Sequence, residues 1–356
     1  MTHWKLTLAY DGTPYRGWQI QPNLPTVQGL LSDAIHRTTG ERVLPQGSGR
    51  TDAGVHALAQ VASFSLAAPI PAANLHRALN RCLPPSIRVL AVEAVPPAFH
   101  ARHSALRKTY EYRIFPLCAP PLEPRTSSLE PRTSNLEPDP DLICPPTLAP
   151  TVWPCPWPLD LSALNRAAAH VLGAHDFTSF AAADPDLTHR SAFDSSGEIV
   201  IPTGGLCEST QNSVIPAEGG ALAAAVEGPP HLAFAPVLRR ERGASAPRII
   251  PLGRKGFSPG PSPQPTTSNQ QPTTAVRTIS HSQWIISGGL LIYRVTADGF
   301  LHHMVRNLVG TFVLAGAHRI SPDSIPALLT ARNRAAAGPT APASGLFLVS
   351  VDYPAL

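Results

Sequence analysis

The chain has 356 residues, 43% of them apolar, and a formal net charge of +4 with histidine neutral. Such a length suggests about two domains with a sizeable core, and a mild positive charge permits an acidic partner without demanding one. No run approaches the ~18 consecutive apolar residues of a membrane span. The first residues lack the pattern of a signal peptide, and the five cysteines (Cys82, Cys118, Cys144, Cys155 and Cys207) include no C-x-x-C pair. A disulfide framework or zinc site is therefore not expected, and a cytoplasmic location is.

Residues 4–10 alternate in polarity and predict a strand. A helix follows Thr26, a good N-cap, with Val27, Leu30, Leu31, Ala34 and Ile35 on one face and Gly40 at its end. Residues 57–66 read as a strand, residues from Pro71 to about Cys82 as a helix, and residues 87–95 as a strand. The second half repeats the style. Strands are predicted over 109–115, 276–286, 290–297 and 346–352, and helices over 161–172, 301–315 and 322–331. Strands joined by helices without regular βαβ alternation indicate an α+β fold with a mainly antiparallel sheet. An N-terminal part, 1–104, and a C-terminal part, 105–356, are expected. Two windows, 116–158 and 185–272, hold most of the 41 prolines and read as low-complexity insertions. The first contains a short tandem repeat starting at Leu122, Leu129 and Leu136. Removing both leaves roughly 225–230 residues of ordinary globular sequence.

The chemistry concentrates in residues 47–57, Gly-Ser-Gly-Arg-Thr-Asp-Ala-Gly-Val-His-Ala. Gly47, Gly49 and Gly54 permit sharp turns and a close approach to a ligand. Arg50 lies two residues before Asp52, and an opposite charge favours the carboxylate. Such an aspartate suits nucleophilic attack. It equally suits a turn in which it caps backbone N–H groups. Tyr15 and Trp18, interleaved with Arg16, Gln19 and Gln21, suit looped RNA, whose bases stack on aromatic planes, and equally suit a core plug.

Basic residues (Arg16, Arg50, Arg77, Arg81, Arg88, Arg102, Arg107, Lys108, Arg306) fall near these motifs, and His100, Arg102 and Lys108 are candidates to meet phosphates. Tyr110 and Tyr112 share one strand face, with Glu111 on the other. Residues 175–180 read as a turn with buried aromatics. In 298–310, Phe300, Met304, Leu308 and Phe312 keep helical spacing, and His302 and Arg306 share a face. Arg306 is placed to pair with Asp52. On a helix His302 and His303 would diverge by about 100°, which argues against joint metal ligation, and no metal is expected.

Six segments occur in order: Tyr10-Asp-Gly with Gly17-Trp-Gln, Gly49-Arg-Thr-Asp-Ala-Gly-Val-His56, Phe99-His-Ala-Arg102, Asp176-Phe-Thr-Ser-Phe180, Phe300-Leu-His-His-Met-Val-Arg-Asn307, and Ala341-Pro-Ala-Ser-Gly-Leu346 with Val351-Asp-Tyr-Pro354. Together they closely resemble the tRNA pseudouridine synthase A family, over essentially the whole chain outside the two insertions. The departures are those insertions and Asp298, where the family commonly has another residue.

The resemblance implies a pseudouridine synthase fold: two α/β halves around the sheet, with the catalytic cleft between them. It implies isomerisation of uridine to pseudouridine at positions 38, 39 and 40 of the tRNA anticodon stem-loop, by a homodimer without cofactor. Asp52 would be the nucleophile, Arg50 would help flip the base, Tyr110 would stack on the uracil, and Arg306 would pair with the aspartate. His56, Arg102 and His302 would contact the tRNA. The carbon that Asp52 attacks, ribose C1′ or uracil C6, stays open. A non-catalytic tRNA-binding protein on the same fold and an Asp-dependent nucleoside hydrolase are the competing readings.

Overall fold

The computed structural model describes residues 1–118, 142–182 and 275–355. These lie within one compact unit formed by Met1–Ser195 and Pro272–Leu356. The tandem repeat and the whole of the second proline-rich window lie outside the described residues.

The strands are β1 (Thr2–Tyr10), β2 (Gln46–Gly47), β3 (His56–Leu66), β4 (Ile87–Val95), β5 (Arg107–Pro116), β6 (Trp153–Cys155), β7 (Gly173–Asp176), β8 (Val276–Ser287), β9 (Leu290–Ala297) and β10 (Leu346–Asp352). The helices are α1 (Val27–Thr39), α2 (Ala72–Cys82), α3 (Leu161–Ala169), α4 (Met304–Gly316) and α5 (Ile325–Ala331). One sheet carries all ten strands in the order β4-β1-β3-β10-β5-β9-β8-β7, with β2 added on β3 and β6 on β5. The pairings are antiparallel except β3–β10 and β5–β6. The expected α+β architecture with a mainly antiparallel sheet is thus present.

The caps follow local chemistry. The Thr26 hydroxyl accepts from the Gly29 N–H, and Gly40 ends α1 at φ 78, its N–H donating to the His36 carbonyl. Position β10 is the decisive one. The C-terminal strand enters between β3 and β5, pairing Phe347 with His56 on one side and Leu348 with Tyr110 on the other. It thereby fixes the segment after Asp52 next to the strand that carries Tyr110.

The first proline-rich window is not wholly an insertion. Its last part forms a 3-10 turn at Ala149–Thr151 and then β6, parallel to β5. Val152 and Cys155 are fully buried, and the Trp153 ring meets Tyr112 edge-on at 6.2 Å. Composition misled because β6 pairs on one side only, where Pro154 costs no ladder hydrogen bond. Two helices are also shorter than their periodicity suggests. α3 ends at Ala169, and the expected 322–331 helix opens as a 3-10 turn, Pro322–Ser324.

The loop after β1 clamps the Asp52 loop at backbone level. The Trp18 N–H donates to the Thr51 carbonyl at 3.0 Å, and the Gly54 N–H donates to the Tyr15 carbonyl at 3.3 Å. Gly12 and Gly17 make this approach possible. A Cβ on Gly12 would lie 2.0 Å from the Val55 carbonyl oxygen, and one on Gly17, at φ +89, would lie 2.6 Å from that of Thr51. Gly17→Ala combines a left-handed backbone with a backbone clash. It is expected to lower stability by about 2 kcal/mol or more in urea unfolding. An unchanged urea midpoint would refute the clamp.

Candidate active site

Asp52 lies between β2 and β3, and buried polar side chains brace its loop from below. Gln60 donates to the Gly49 carbonyl at 2.9 Å and accepts from the Ser48 hydroxyl at 2.6 Å. The Tyr10 hydroxyl meets the Thr51 hydroxyl at 2.8 Å, and burial pushes its phenol up to about 12. Ser48, Thr51 and Gln60 went unnoticed in the sequence. Their signal was slight: three polar residues in strand-like or loop positions, with nothing to say they would be buried.

Gly54 makes the expected sharp turn at φ 78, while Gly47 acts differently from expectation. Gly47 is required because the Trp18 ring packs on it, a Cβ there lying 2.6 Å from that ring. Trp18 and Tyr15 are both buried, so neither offers its face to RNA. They are core residues whose packing shapes the loop.

The second half of the site comes from the turn after β9. Helical spacing predicts a helix from residue 301, but α4 starts at Met304, and His303 is its N-cap in the left-handed region, φ 57. That conformation, uncommon for a non-glycine residue, undoes the divergence expected of adjacent helical residues. The His302 and His303 rings lie with centroids 4.0 Å apart, and both point at Asp52. His302 Nε2 is 3.5 Å from Asp52 Oδ1, and His303 Nε2 is 3.2 Å from Oδ2.

Arg306 reaches the same Oδ2 through Nη1 at 3.2 Å, while its Nε donates to the Ala341 carbonyl at 2.7 Å. The expected Asp52–Arg306 pair is therefore formed, across 254 residues of sequence. Each of Asp52, His302 and His303 offers one atom that can bind a metal, all within 4.8 Å of one another. This overturns the geometric argument against joint ligation. In this arrangement Arg306 supplies the counter-charge on Asp52 that a cation would otherwise bring.

Buried Asn307 anchors the start of α4. Its amide donates to the Phe180 carbonyl at 2.7 Å, and its oxygen accepts from Thr340 and Arg334 at 2.7 and 3.0 Å. The motif at 175–180, with Phe177 and Phe180 fully buried, is thus a support for the helix that carries Arg306.

Tyr110 lines the site from β5. Its ring meets Phe300 edge-on at 4.9 Å. Its phenol is raised above the ordinary range, first by burial and then by the charges of Tyr10 and Asp52, so it is a neutral donor rather than a phenolate. Arg50 is exposed, two residues before Asp52, and Arg102 is exposed in the turn after β4.

His56 departs from the expected tRNA contact. It is 2% exposed and stacks on Phe347 with centroids 4.6 Å apart. Its Nδ1 accepts from the Gly12 N–H at 3.1 Å, and its Nε2 donates to the Pro150 carbonyl at 3.2 Å. It latches the Asp52 loop to two other segments and leaves no nitrogen for RNA. His100 also turns inward, its Nδ1 accepting from the Arg102 N–H at 3.1 Å.

Burial lowers the pKa of His56, His100 and His303 below the usual 6.5. The unfolded chain then binds more protons than the folded one below that pH. Stability contributed by these neutral rings is present above about pH 6.5 and is lost as pH falls through their depressed values. Urea unfolding should therefore show a lower midpoint at pH 5.5 than at 7.5, with part of the difference removed in His56→Gln. A midpoint that rises on acidification would contradict this.

A carboxylate held by an arginine and two histidines, beside a neutral tyrosine, is the inner constellation of this site. The family model described as tRNA pseudouridine synthase matches residues 7–104 and 264–354, which contain all of these groups except Tyr110. Two relatives named tRNA pseudouridine synthase A, from Solibacter usitatus and Moorella thermoacetica, are 35% and 36% identical, with 98% of each chain covered. The chain belongs to the tRNA pseudouridine synthase family. A third relative of that name, from Rhodopseudomonas palustris, is 33% identical over 99% of this chain and all of its own. Members of the family are isomerases acting on tRNA. Among the described residues no helix is long and apolar enough to cross a membrane.

Proposed function

We propose that this protein isomerises uridine to pseudouridine in the anticodon stem-loop of tRNA, at positions 38, 39 and 40, with Asp52 as the nucleophile. The observation that carries the reading is the Asp52 carboxylate itself. Arg306 and His303 both address Oδ2, while among the described residues Oδ1 faces only the longer His302 contact. One oxygen is thus held and the other is left for the substrate.

The reaction breaks a C–N glycosidic bond, turns the uracil and forms a C–C bond, so no electrons are exchanged with a cofactor. A stacked uridine cannot reach Asp52, and extruding it costs a few kcal/mol. Arg50, exposed two residues before Asp52, would fill the vacated stack. Tyr110, neutral, buried and walled by Phe300, would meet the flipped uracil once the base enters the site, an interaction worth about 1–3 kcal/mol. Arg102 and His302 complete the tRNA contacts. We place the enzyme in the cytoplasm as a homodimer, whose second copy would extend a basic groove that a net charge of +4 leaves modest.

The test is release of tritium from tRNA carrying [5-³H]uridine, with the modified positions mapped by carbodiimide-based primer extension. Release with stops at positions 38–40 is expected. Binding of tRNA without release would indicate a non-catalytic binding protein, and free uracil would indicate a nucleoside hydrolase. Sedimentation equilibrium at micromolar concentration checks the dimer.

A further inference from the structure

Lys108 carries no role in the site described above, yet its surroundings are unusual. On β5 it pairs with Val351 of β10 and Ala297 of β9. Its ammonium ends against the root of the Asp52 loop, donating to the Ser48 carbonyl at 2.6 Å. Gly49 leaves room for it, since a Cβ there would lie 3.3 Å from Nζ.

Two more cations gather at the same place. Arg102, in the turn after β4, is close enough for its charge to act on the Lys108 ammonium. Arg277 stands two residues before Ile279, which pairs with the same Ala297 that pairs with Lys108. The Arg277 side chain passes Gly299, where a Cβ would lie 3.3 Å from its Nε. Burial, then repulsion from Arg102 and Arg277, pulls the Lys108 ammonium down to about 8.

Among the described residues no carboxylate lies within ion-pair distance of Lys108 or Arg102. A prop for one carbonyl would need only a neutral donor. A like charge from Arg102 beside a half-buried ammonium costs free energy until an anion arrives.

We infer that Lys108, Arg102 and Arg277 form a phosphate-binding site, occupied by a backbone phosphodiester of the RNA strand that carries the target uridine. The choice of a strand phosphate over a free one rests on the function proposed above. Gly49 is three residues from Asp52, so the two lie within about 11 Å, inside the reach of a strand whose uridine is at Asp52. Arg102, exposed, supplies the outer wall, and Lys108 the inner one.

The experiment compares wild type, Lys108→Met, Lys108→Gln, Lys108→Arg and the surface variant Arg102→Met, each checked for folding by circular dichroism. Affinity for an anticodon stem-loop RNA is read by fluorescence anisotropy over a range of salt, with tritium release followed in parallel. Lys108→Met should raise Kd and KM roughly tenfold and reduce the salt slope by about one, the loss lying in KM rather than kcat. Arg102→Met should act in the same direction, and Lys108→Arg should restore the slope.

An unchanged slope in both Met variants would overturn the site. So would a loss confined to kcat that Lys108→Gln rescues, which marks a structural prop. Competition by inorganic phosphate that depends on Lys108, with the RNA slope unmoved, would assign the site to a free phosphate and overturn the strand assignment. If wild type binds RNA with the Lys108-dependent slope yet releases no tritium, the isomerase reading falls and the phosphate site stands.

Discussion

Asp52→Ala is expected to remove tritium release from [5-³H]uridine tRNA by at least roughly 1000-fold while the RNA still binds within a few-fold of wild type. The expectation rests on geometry. The loop is braced by Gln60, Tyr10 and the Trp18 backbone, none of which bonds to the carboxylate. Removing the side chain therefore leaves the loop in place and deletes the proposed nucleophile with its contacts to Arg306, His302 and His303. Asp52→Asn is the stricter companion, since it keeps the shape and the contacts of one oxygen. A nucleophile tolerates neither change. A carboxylate that merely oriented Arg306 would leave partial turnover in the asparagine variant. Retained release by either protein would remove Asp52 from the chemistry.

Arg306→Met should have the next largest effect, and on two observables. The guanidinium makes two bonds, through Nε to Ala341 and Nη1 to Asp52, from a largely buried side chain. Its loss frees Oδ2 and orphans a carbonyl, so kcat should fall about 100-fold or more and stability by about 1–3 kcal/mol. Arg306→Lys should recover stability only in part and turnover poorly, because an ammonium is a point charge without the planar fork. A wild-type kcat in Arg306→Met would show that Asp52 does not depend on this partner. A changed KM with unchanged kcat would turn Arg306 into an RNA contact.

Most of the strand and helix framework was legible in the sequence because alternation and helical spacing are local signals. α1 shows this best, with cap, apolar face and terminal glycine all readable. The fault at His302 and His303 has one cause. Helical spacing of Phe300, Met304 and Leu308 says nothing about where the helix begins. A single left-handed residue turned two divergent rings into a converging pair. His56 was misread for a related reason, and Trp18 stayed open between an RNA contact and a core plug until its burial decided for the core. Residue type suggests what a side chain can do, while burial decides whether a ligand meets it, and burial here depends on β10 and on residues 149–155, distant in sequence. Conversely, the Asp52–Arg306 pair rested on opposite charge and on the ordered motifs, since no local pattern spans that separation.

The backbone-to-backbone wedge of Gly12 and Gly17 under the Asp52 loop bears on mechanical compliance. A loop seated on carbonyl groups, with no side chain between to flex, yields little under load. When protein and RNA meet, strain goes into the softer partner. The deformation energy of the encounter is then carried by the nucleic acid, and sequences whose loops unstack readily will be processed faster than stiff ones, even where no side chain touches the bases that differ.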